Sequence, residues 1–576
     1  MKLIGNGVAS GTGLGPALLL ERRSAPVFRR HLREGALEAE VARFHVAVTG
    51  SGAQLRSIRE RLSREIGESH AYVFDAQIQM LDDPMLKDRV SGLIRAQRVN
   101  AEWALRAVSQ ELHLLFDSVV DEYIRERRTD LDDVVGRVQL NLAGCGGPAA
   151  ELQLDEDVVL VAEELAPSQA GELDWRRVVA IVTGAGSSTH HAAILARSLG
   201  IPAVAGIDDA TERIPPGALV AVDGTRGEVD LAPHPDLVRE LRETRLRARA
   251  TPSEACRELA SVTRDGVAVR LLANVELPGE AGTAARYGAE GIGLFRSEYL
   301  LRRPGRWPTE DEQVEVYARL LRESAGPVTI RTWDVGPEDF VTDGVSGPNP
   351  ALGERAWRLL GRDPRPFLTQ LRALLRAGPV GALRISLPFV GGGTELAVAL
   401  ALIDQARSEL ASEGLPFAGD VPVGLNVEVP SAALTADMLA PRVDFFSVGT
   451  NDLIQYLLAV DRGDPRMSGR FQALHPAVLR VLDGVAGAAS RAGIGLALCG
   501  EMAANPLHAV LLVGLGYREL SMTPVAIPAV KSAIRDVRAD AASRLARRCL
   551  ELSSAEEVEA ALRSELAAVS TAAAKE

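Results

Sequence analysis

A histidine that could act as a nucleophile ends the loop Gly184-Ala185-Gly186-Ser187-Ser188-Thr189-His190-His191. The loop follows the β-branched run Val178–Thr183 and precedes the helix-like segment Ala192–Leu199. Glycine and hydroxyl residues let the backbone approach an anion, and a helix N-terminus favours negative charge. Because neutral imidazole is nucleophilic at pH 7, the loop suits phosphoryl transfer to a histidine. The alternative is a purely structural loop, and this motif alone does not decide between them.

A second group of polar residues follows apolar runs in the C-terminal half of the chain. Each stands at or just beyond the C-terminal end of such a run: Asn274, Arg296, Arg331, Glu428, Asn451, Asp452 and Cys499. Burying polar groups at so many strand ends would be costly without a ligand. Arginine forks match carboxylate or phosphate oxygens, so Arg296, Arg331 and Arg462 predict a small polyanionic ligand.

Two carboxylates and a thiol in this group suggest further chemistry. Glu428 and Asp452 follow consecutive runs and could share an oxygen-ligated divalent cation, with Mg²⁺ favoured if the substrate supplies phosphate oxygens. The alternative for each carboxylate is a salt bridge. Cys499, in Leu498-Cys499-Gly500-Glu501, could act as a general acid because an ordinary thiol is mostly protonated at pH 7. Alternatively, Cys499 is a buried thiol that only contributes to packing.

The apolar runs that position these residues alternate with amphipathic helical segments. Eight runs occur in about 260 residues, at Val269–Val275, Gly291–Phe295, Val328–Asp334, Leu383–Phe389, Val421–Glu428, Val443–Gly449, Gly495–Glu501 and Glu519–Pro524. Eight βα units of this length predict a TIM barrel, whose active sites lie at the C-terminal ends of the strands.

The N-terminal part of the chain differs from the C-terminal half in glycine content and hydrophobic periodicity. Glycine-poor segments with helical periodicity, among them Val41–Ile66, Asn100–Phe116 and Val119–Arg127, predict a helical bundle. The strand-like Val8–Leu20 precedes the bundle and Val158–Val161 follows it, which suggests that the bundle is inserted into an α/β domain. The polar, helix-favouring segment Pro235–Leu259 is a candidate linker, with a solvated surface helix as the alternative.

Composition limits the classes of partner. The 576 residues carry a formal charge of −13, so we expect neither nucleic acid nor an anionic membrane surface as the main partner. No apolar stretch indicates membrane insertion or a signal peptide, and we expect a cytoplasmic protein. The four widely spaced cysteines predict neither a disulfide framework nor a zinc site.

Several motifs carry a resemblance to a known family. The segment His191–Ala203 resembles the phosphohistidine signature H-x-x-I-x-A-R-x-x-G-I-P-A of the phosphoenolpyruvate-utilising enzymes. Barrel segments that resemble the substrate domain of that family are Gly291–Glu298, Arg331–Gly336, Asn349–Arg355, Asp444–Leu453 and Ala459–Arg462. The domain order and helical N-terminal segment are most similar to the phosphotransferases of this family that serve bacterial sugar uptake. Its nucleotide-dependent members need a further domain, for which this chain has no room.

The resemblance implies an α/β multidomain fold with a swivelling phosphohistidine domain, an inserted helical bundle, a linker helix and a C-terminal (β/α)8 barrel. The implied boundaries are residues 1–21 and 146–232 for the phosphohistidine domain, 22–145 for a bundle that binds the carrier protein HPr, 233–262 for the linker, and 263–576 for the barrel, which also forms a homodimer. The resemblance further implies that phosphoenolpyruvate phosphorylates a histidine of this chain, which passes the phosphoryl group to HPr, and that pyruvate is released.

Particular roles also follow from the resemblance. It makes His191 rather than His190 the phospho-acceptor, because only His191 stands five residues before Ala196-Arg197. It implies five phosphoenolpyruvate ligands, Arg296, Arg331, Arg355, Asn451 and Arg462. It also implies that Glu428 and Asp452 bind Mg²⁺ and that Cys499 is the proton donor. The region that would contact HPr contains Glu68, Phe74, Asp75, Asp82, Asp83 and Leu86.

Four positions depart from the family pattern. Ala170 stands where a hydroxyl helps to position the histidine, and Ser188 replaces an arginine in the histidine loop. Asp339 replaces a lysine after Arg331, and Asn426 replaces a methionine before Glu428. These changes leave the nucleophile, the two carboxylates and the thiol in place. They also keep two alternatives open: a regulatory binding protein that turns over poorly, and a phosphotransferase for a specialised carrier.

Overall fold

The computed structural model describes the chain apart from residues 1, 10, 21–25, 67–73, 75–76, 118–121, 145–153, 155, 171–172, 185–195, 197–200, 225, 240, 243–258, 303–306, 337–349, 354, 361–362, 462–464 and 574–576. The chain divides into two compact units, one formed by Met1–Arg245 with Gly463–Ser468 and the other by Leu246–Arg462 with Gly469–Glu576. Each unit has hydrophobic cores of its own.

The first unit contains an eight-stranded sheet. Its strands are β1 Lys2–Ile4, β2 Asn6–Ala9, β3 Thr12–Leu20, β4 Val158–Ala162, β5 Val178–Thr183, β6 Ala203–Ala205, β7 Leu219–Asp223 and β8 Glu228–Asp230. They are ordered β1-β8-β7-β3-β4-β5-β6-β2, and the central strands β3 to β6 run parallel. The continuous apolar character of β4 and β5 agrees with this position, because both strands are buried along their whole length.

The helical bundle is inserted between the neighbouring strands β3 and β4, as the sequence suggests. Its helices are α1 Leu37–Ile66, α2 Pro84–Gln97, α3 Ala101–Asp117 and α4 Glu122–Leu142, the last longer than the predicted Val119–Arg127. Helix α2 begins where the Asp83 carboxylate accepts a hydrogen bond from the Met85 amide. Two residues of the expected carrier-contact region, Phe74 and Leu86, are buried in this core and therefore serve folding.

The predicted N-terminal strand Val8–Leu20 is divided in the structure. Gly11, with φ of +117°, separates β2 from β3, and the two strands pair with different neighbours, β6 and β7. A Cβ at Gly11 would also lie 3.0 Å from Pro202 Cγ. The left-handed backbone at this glycine explains why one apolar run forms two strands.

The second unit contains a closed parallel barrel, which confirms the predicted fold class. Its strands are β9 Arg270–Val275, β10 Ile292–Arg296, β11 Val328–Arg331, β12 Leu383–Leu387, β13 Val423–Val427, β14 Phe445–Val448, β15 Gly495–Leu498 and β16 Glu519–Met522. Strand β16 pairs with β9 and closes the barrel. All eight coincide with predicted runs, and every predicted run is longer than its strand at one or both ends. Six of the predicted runs, including Val328–Asp334, extend beyond the last paired residue into the loop that follows.

Helices surround the barrel and also occur beside the sheet of the first unit. Further α-helices are α5 Pro167–Ala170, α6 Ala210–Arg213, α7 Ala281–Arg286, α8 Glu310–Glu323, α9 Trp357–Leu360, α10 Arg365–Ala377, α11 Gly393–Glu413, α12 Pro430–Leu434, α13 Ala436–Leu439, α14 Thr450–Leu458, α15 Pro476–Ala492, α16 Pro506–Gly514, α17 Ile527–Asp536, α18 Ala539–Glu551 and α19 Ala555–Ala573. Among the described residues, none of these helices is long and apolar enough to span a bilayer.

Candidate active site

A cavity of about 320 Å³ opens at the C-terminal ends of the barrel strands. Strand register explains how it collects side chains from distant parts of the sequence. Val427, Val448 and Leu498 are paired across three adjacent strands, so the residues that follow them, among them Glu428 and Cys499, emerge at one level. The cavity is lined by Glu276, Leu294, Arg296, Glu298, Tyr299, Arg331, Asp334, Arg355, Asn426, Glu428, Gly449, Asn451, Asp452, Cys499 and Gly500.

Two arginines are held at the cavity by a buried carboxylate. Arg331 Nη1 and Arg355 Nη2 each lie 3.0 Å from Asp334 Oδ2, whose side chain is only 2% exposed. Arg331 Nη2 also lies 3.2 Å from Glu298 Oε1. Burial would raise the pKa of Asp334, but the neighbouring guanidinium groups outweigh this effect and hold it below its ordinary value. The two guanidinium groups are thus fixed before any ligand binds.

Arg355 has further partners that restrict its orientation. Its Nη1 donates to Tyr456 Oη at 3.1 Å and lies 3.5 Å from Asp452 Oδ1. Its guanidinium carbon also lies 4.8 Å from the centre of the Phe389 ring, within the range of a cation–π contact. These contacts connect an arginine of the loop after β11 to residues that follow β12 and β14.

Glu428 is buried between two hydrogen-bond donors. The backbone amide of Phe389 donates to Oε1 at 2.7 Å, and Asn426 Nδ2 donates to Oε2. Phe389 has a φ of +55°, an uncommon conformation for a non-glycine residue. Burial, together with the charges of Asp334 and Asp452, raises the pKa of Glu428 to about 8. In the absence of a cation, this carboxyl group is therefore largely protonated at neutral pH.

The Cys499 thiol lies beside Glu428 on the neighbouring part of the cavity wall. Its Sγ donates to Asn426 Oδ1 at 3.5 Å and approaches the Val448 carbonyl oxygen at 3.6 Å. Burial raises the pKa of Cys499 above its ordinary value, so the sulfur keeps its proton at neutral pH. Asn274 supports the residue from behind, because its Nδ2 donates to the Cys499 carbonyl oxygen at 2.9 Å.

Arg296 lies at the more exposed edge of the cavity. Its Nη1 is 2.8 Å from Glu276 Oε1, and both side chains remain over two-fifths exposed. Asn451, at the start of α14, accepts a hydrogen bond from the Glu501 amide at 3.1 Å.

The resemblance implies a catalytic, substrate-binding or metal-binding role for nine residues. Seven of them line this cavity, whereas His191 and Arg462 lie outside the described residues.

The sequence prediction did not include three carboxylates of the cavity. Glu276, Glu298 and Asp334 pair with arginines that were predicted, and the last two follow Arg296 and Arg331 by two and three residues. This closeness in sequence to predicted arginines was the signal that could have identified Glu298 and Asp334.

Asn274, which was predicted at the rim, supports Cys499 instead of lining the cavity. Ala170 is buried, and its carbonyl oxygen accepts a hydrogen bond from Trp175 Nε1 at 3.0 Å.

Family models match most of the chain. The PEP-binding domain of PEP-utilising enzymes matches residues 251–539, which include the barrel. The N-terminal domain of the same enzymes matches residues 4–127, and their mobile domain matches residues 154–227.

Curated proteins are similar along nearly the whole chain. The phosphoenolpyruvate-protein phosphotransferase of Bacillus sp. (strain S) is 38% identical over 559 residues, which cover 96% of each chain. That of Cupriavidus necator is 39% identical over 575 residues, covering 96% of this chain and 98% of the relative. That of Bacillus subtilis is 37% identical over 562 residues, covering 97% of this chain and 98% of the relative. The chain belongs to the PEP-utilising enzymes and, among them, to the family of phosphoenolpyruvate-protein phosphotransferases.

Proposed function

We propose that this enzyme transfers the phosphoryl group of phosphoenolpyruvate to His191 and then to a histidine of the carrier protein HPr, releasing pyruvate. This would be the first step of sugar uptake by a phosphotransferase system. The observation that carries the proposal is one cavity lined by three arginines, two adjacent carboxylates and a protonated thiol. Together, these groups could bind the phosphate and carboxylate of a phosphorylated three-carbon acid and give a proton to its enolate.

Arg296, Arg331 and Arg355 are the proposed ligands of the phosphate and carboxylate groups, with Asn451 and Arg462 as further ligands. Asp334 holds two of these guanidinium groups in place, so little reorganisation is needed when the anion binds. Guanidinium groups oriented in this way would stabilise the charge that develops on the transferring phosphoryl oxygens.

Glu428 and Asp452 are the proposed ligands of Mg²⁺. Two observations support the fit of a hard divalent cation. The described lining contains five carboxyl groups and three arginines, an unfavourable balance for an anionic substrate alone. A Cβ at Gly449 would lie 2.8 Å from Glu428 Oε2, so the glycine keeps the space beside this oxygen open. A bound Mg²⁺ would neutralise charge on the phosphate and enolate oxygens.

The proposed reaction has two bond changes at the substrate. The phosphorus–oxygen bond of phosphoenolpyruvate breaks as a phosphorus–nitrogen bond forms at His191, which leaves the enolate of pyruvate in the cavity. The Cys499 thiol then gives its proton to C3 of the enolate, and the resulting thiolate regains a proton from water. The raised pKa of Cys499 supports this role, since the acid must be protonated when the enolate forms.

The domain assignment follows from the same proposal. Residues 1–21 and 146–232 would form the phosphohistidine domain, 22–145 the carrier-binding domain, 233–262 the linker, and 263–576 the substrate-binding and dimerisation domain. The exposed Asp82 and Asp83 remain candidates for carrier contact. A homodimer through the barrel is supported by Leu434 and Met438, whose side chains are exposed on the short helices α12 and α13.

Labelled phosphoenolpyruvate tests the proposed function directly. The wild-type enzyme, incubated with Mg²⁺ and HPr, is expected to form acid-labile protein phosphate, to label HPr and to release pyruvate. His191→Ala is expected to abolish all three. His190→Ala is the matched control, because it changes the adjacent histidine, and it should retain labelling. Labelling that survives His191→Ala, or no labelling of the wild type, would overturn the proposal.

Magnesium binding is expected to depend on pH through Glu428. Its folded-state pKa of about 8 exceeds its ordinary value of 4.5, so the metal-free carboxyl group stabilises the fold below pH 4.5 and loses this contribution as the pH rises through 8. Binding of Mg²⁺ should therefore release close to one proton at pH 7, and affinity should rise up to about pH 8. Calorimetry in buffers of different ionisation enthalpy measures this release. Glu428→Gln should lose it, and an affinity unchanged from pH 6.5 to 8.5 would contradict the prediction.

The ion pair between Glu276 and Arg296 occupies one proposed phosphoenolpyruvate ligand before the substrate binds. Glu276 competes with an anionic ligand for this guanidinium. Because the pair is partly exposed, Glu276→Gln is expected to lower the KM for phosphoenolpyruvate by about twofold to fivefold, with kcat unchanged. Glu323→Gln, which breaks an exposed pair with Arg319, is the control. A raised KM would mean that Glu276 positions Arg296 for binding.

A further inference from the structure

Asn426 is a buried polar residue inside the barrel whose position sets its side-chain direction. It lies on β13 two residues before Glu428, is 2% exposed, and is paired in register with Ser447 on β14. Because side chains alternate along a strand, Asn426 and Glu428 point to the same side. The amide therefore lies directly below the carboxylate, at the base of the cavity.

The contacts of Asn426 determine the orientation of its amide group. The amide nitrogen faces Glu428, where Nδ2 donates to Oε2. The amide oxygen then faces Cys499 Sγ at 3.5 Å. An oxygen at this position accepts a hydrogen bond only from a sulfur that carries its proton. One amide thus joins a proposed metal ligand to the proposed proton donor.

The surroundings leave this amide little freedom. A Cβ at Gly449 would lie 3.2 Å from Asn426 Nδ2, which shows how closely the neighbouring strand packs against it. The Val448 carbonyl oxygen, 3.6 Å from Cys499 Sγ, and the hydrogen-bonded side chain of Ser447 are further partners of the thiol. Together with Asn426, these partners hold the Cys499 sulfur in place. A methionine, as the family pattern has at this position, could not donate to Glu428, and its thioether would accept only weakly from Cys499.

We propose that Asn426 is a positioning residue that ties the Cys499 thiol to Glu428, so that the sulfur is held beside the enolate bound at Glu428 and its S–H bond need only rotate from the amide oxygen towards C3. This inference rests on the proposed function and adds a device for proton delivery. When the proton moves, the S–H bond breaks, a C–H bond forms at C3 of the enolate, and the thiolate regains its proton from water. Transfer of the phosphoryl group to His191 precedes this step, so a defect in proton delivery appears after phosphorylation.

A single-turnover experiment with phosphoenolpyruvate separates the two steps. Phosphorylation of His191 is measured by acid-labile label, and release of enolpyruvate is measured by the transient ultraviolet absorbance of the enol, both at saturating Mg²⁺. Asn426→Leu, which keeps the size but removes both hydrogen bonds, is expected to slow phosphorylation of His191 at saturating Mg²⁺ far less than it slows formation of ketonic pyruvate. It should then release much of its product as enolpyruvate and form ketonic pyruvate about tenfold more slowly, a part of the effect of a general acid.

Controls make the result specific. Ser386→Ala removes another buried polar group of a barrel strand that contacts neither Glu428 nor Cys499 in the described structure, and it should release no enol. Asn426→Ala serves as a second variant if the leucine impairs folding, which thermal unfolding would reveal. Normal phosphorylation without enol release in both Asn426 variants would overturn the inference. A wild type that forms no phosphohistidine would instead overturn the proposed function, so the two failures are distinguishable.

Discussion

Replacing Arg331 by lysine is expected to lower kcat/KM for phosphoenolpyruvate by about a hundredfold to a thousandfold. Arg331 ends β11, its side chain is only 11% exposed, and Glu298 and Asp334 fix its guanidinium at 3.2 and 3.0 Å. Lysine keeps the charge but loses the planar fork that binds two oxygens of one anionic group. Removal of one oriented donor from a site that excludes water has an effect of this size.

The choice of lysine also keeps the fold intact. An apolar residue at position 331 would leave the buried Asp334 and the partly buried Glu298 without one of their cationic partners, which costs about 3 to 5 kcal/mol. Steady-state kinetics with a pyruvate-coupled assay measures the effect. Arg384→Lys is the matched control, because Arg384 lies on the next strand and pairs with Glu519 at 2.7 Å, outside the cavity. Equal losses in both variants would show that Arg331 acts only through barrel stability.

Much of the barrel and its cavity could be predicted because the pattern that marks each strand and its end is local in the sequence. An apolar run that ends in a polar residue identifies a strand and the rim at once, and parallel pairing brings all the rims to one level. Glu428 and Cys499 are 71 positions apart in the sequence, yet both follow residues that are paired through β14. The same argument placed Arg296 and Arg331, which are direct register partners.

The missed features depend on contacts that no local pattern encodes. Glu276, Glu298 and Asp334 lie after strands as the predicted residues do, but their role is to hold arginines, and this depends on side-chain distances. The break at Gly11 required a left-handed backbone that a glycine allows but does not impose. Asn426 appeared in the sequence only as a departure from the family pattern. Its contacts with Glu428 and Cys499 give that departure a structural consequence.

Replacing Cys499 by alanine is expected to slow pyruvate formation by about a hundredfold to ten-thousandfold, the usual contribution of a general acid. The first phosphorylation of His191 should keep its rate, because the phosphoryl group leaves before the enolate needs a proton. The two steps therefore separate, and released enolpyruvate should accumulate before water protonates it. Rapid-quench measurement of protein phosphate, together with the ultraviolet transient of the enol, records both steps in one experiment.

The pH dependence of the wild-type enzyme should agree with this role. Burial raises the pKa of Cys499, so the thiol remains a competent acid to a higher pH than an ordinary cysteine, and the alkaline loss of kcat that it causes should disappear in Cys499→Ala. Cys549→Ala is the matched control, since Cys549 is also a buried free thiol but lies on α18, away from the cavity. If Cys499→Ala released pyruvate at the wild-type rate, or if Cys549→Ala were equally slow, Cys499 would be a packed thiol and another group would have to protonate the enolate.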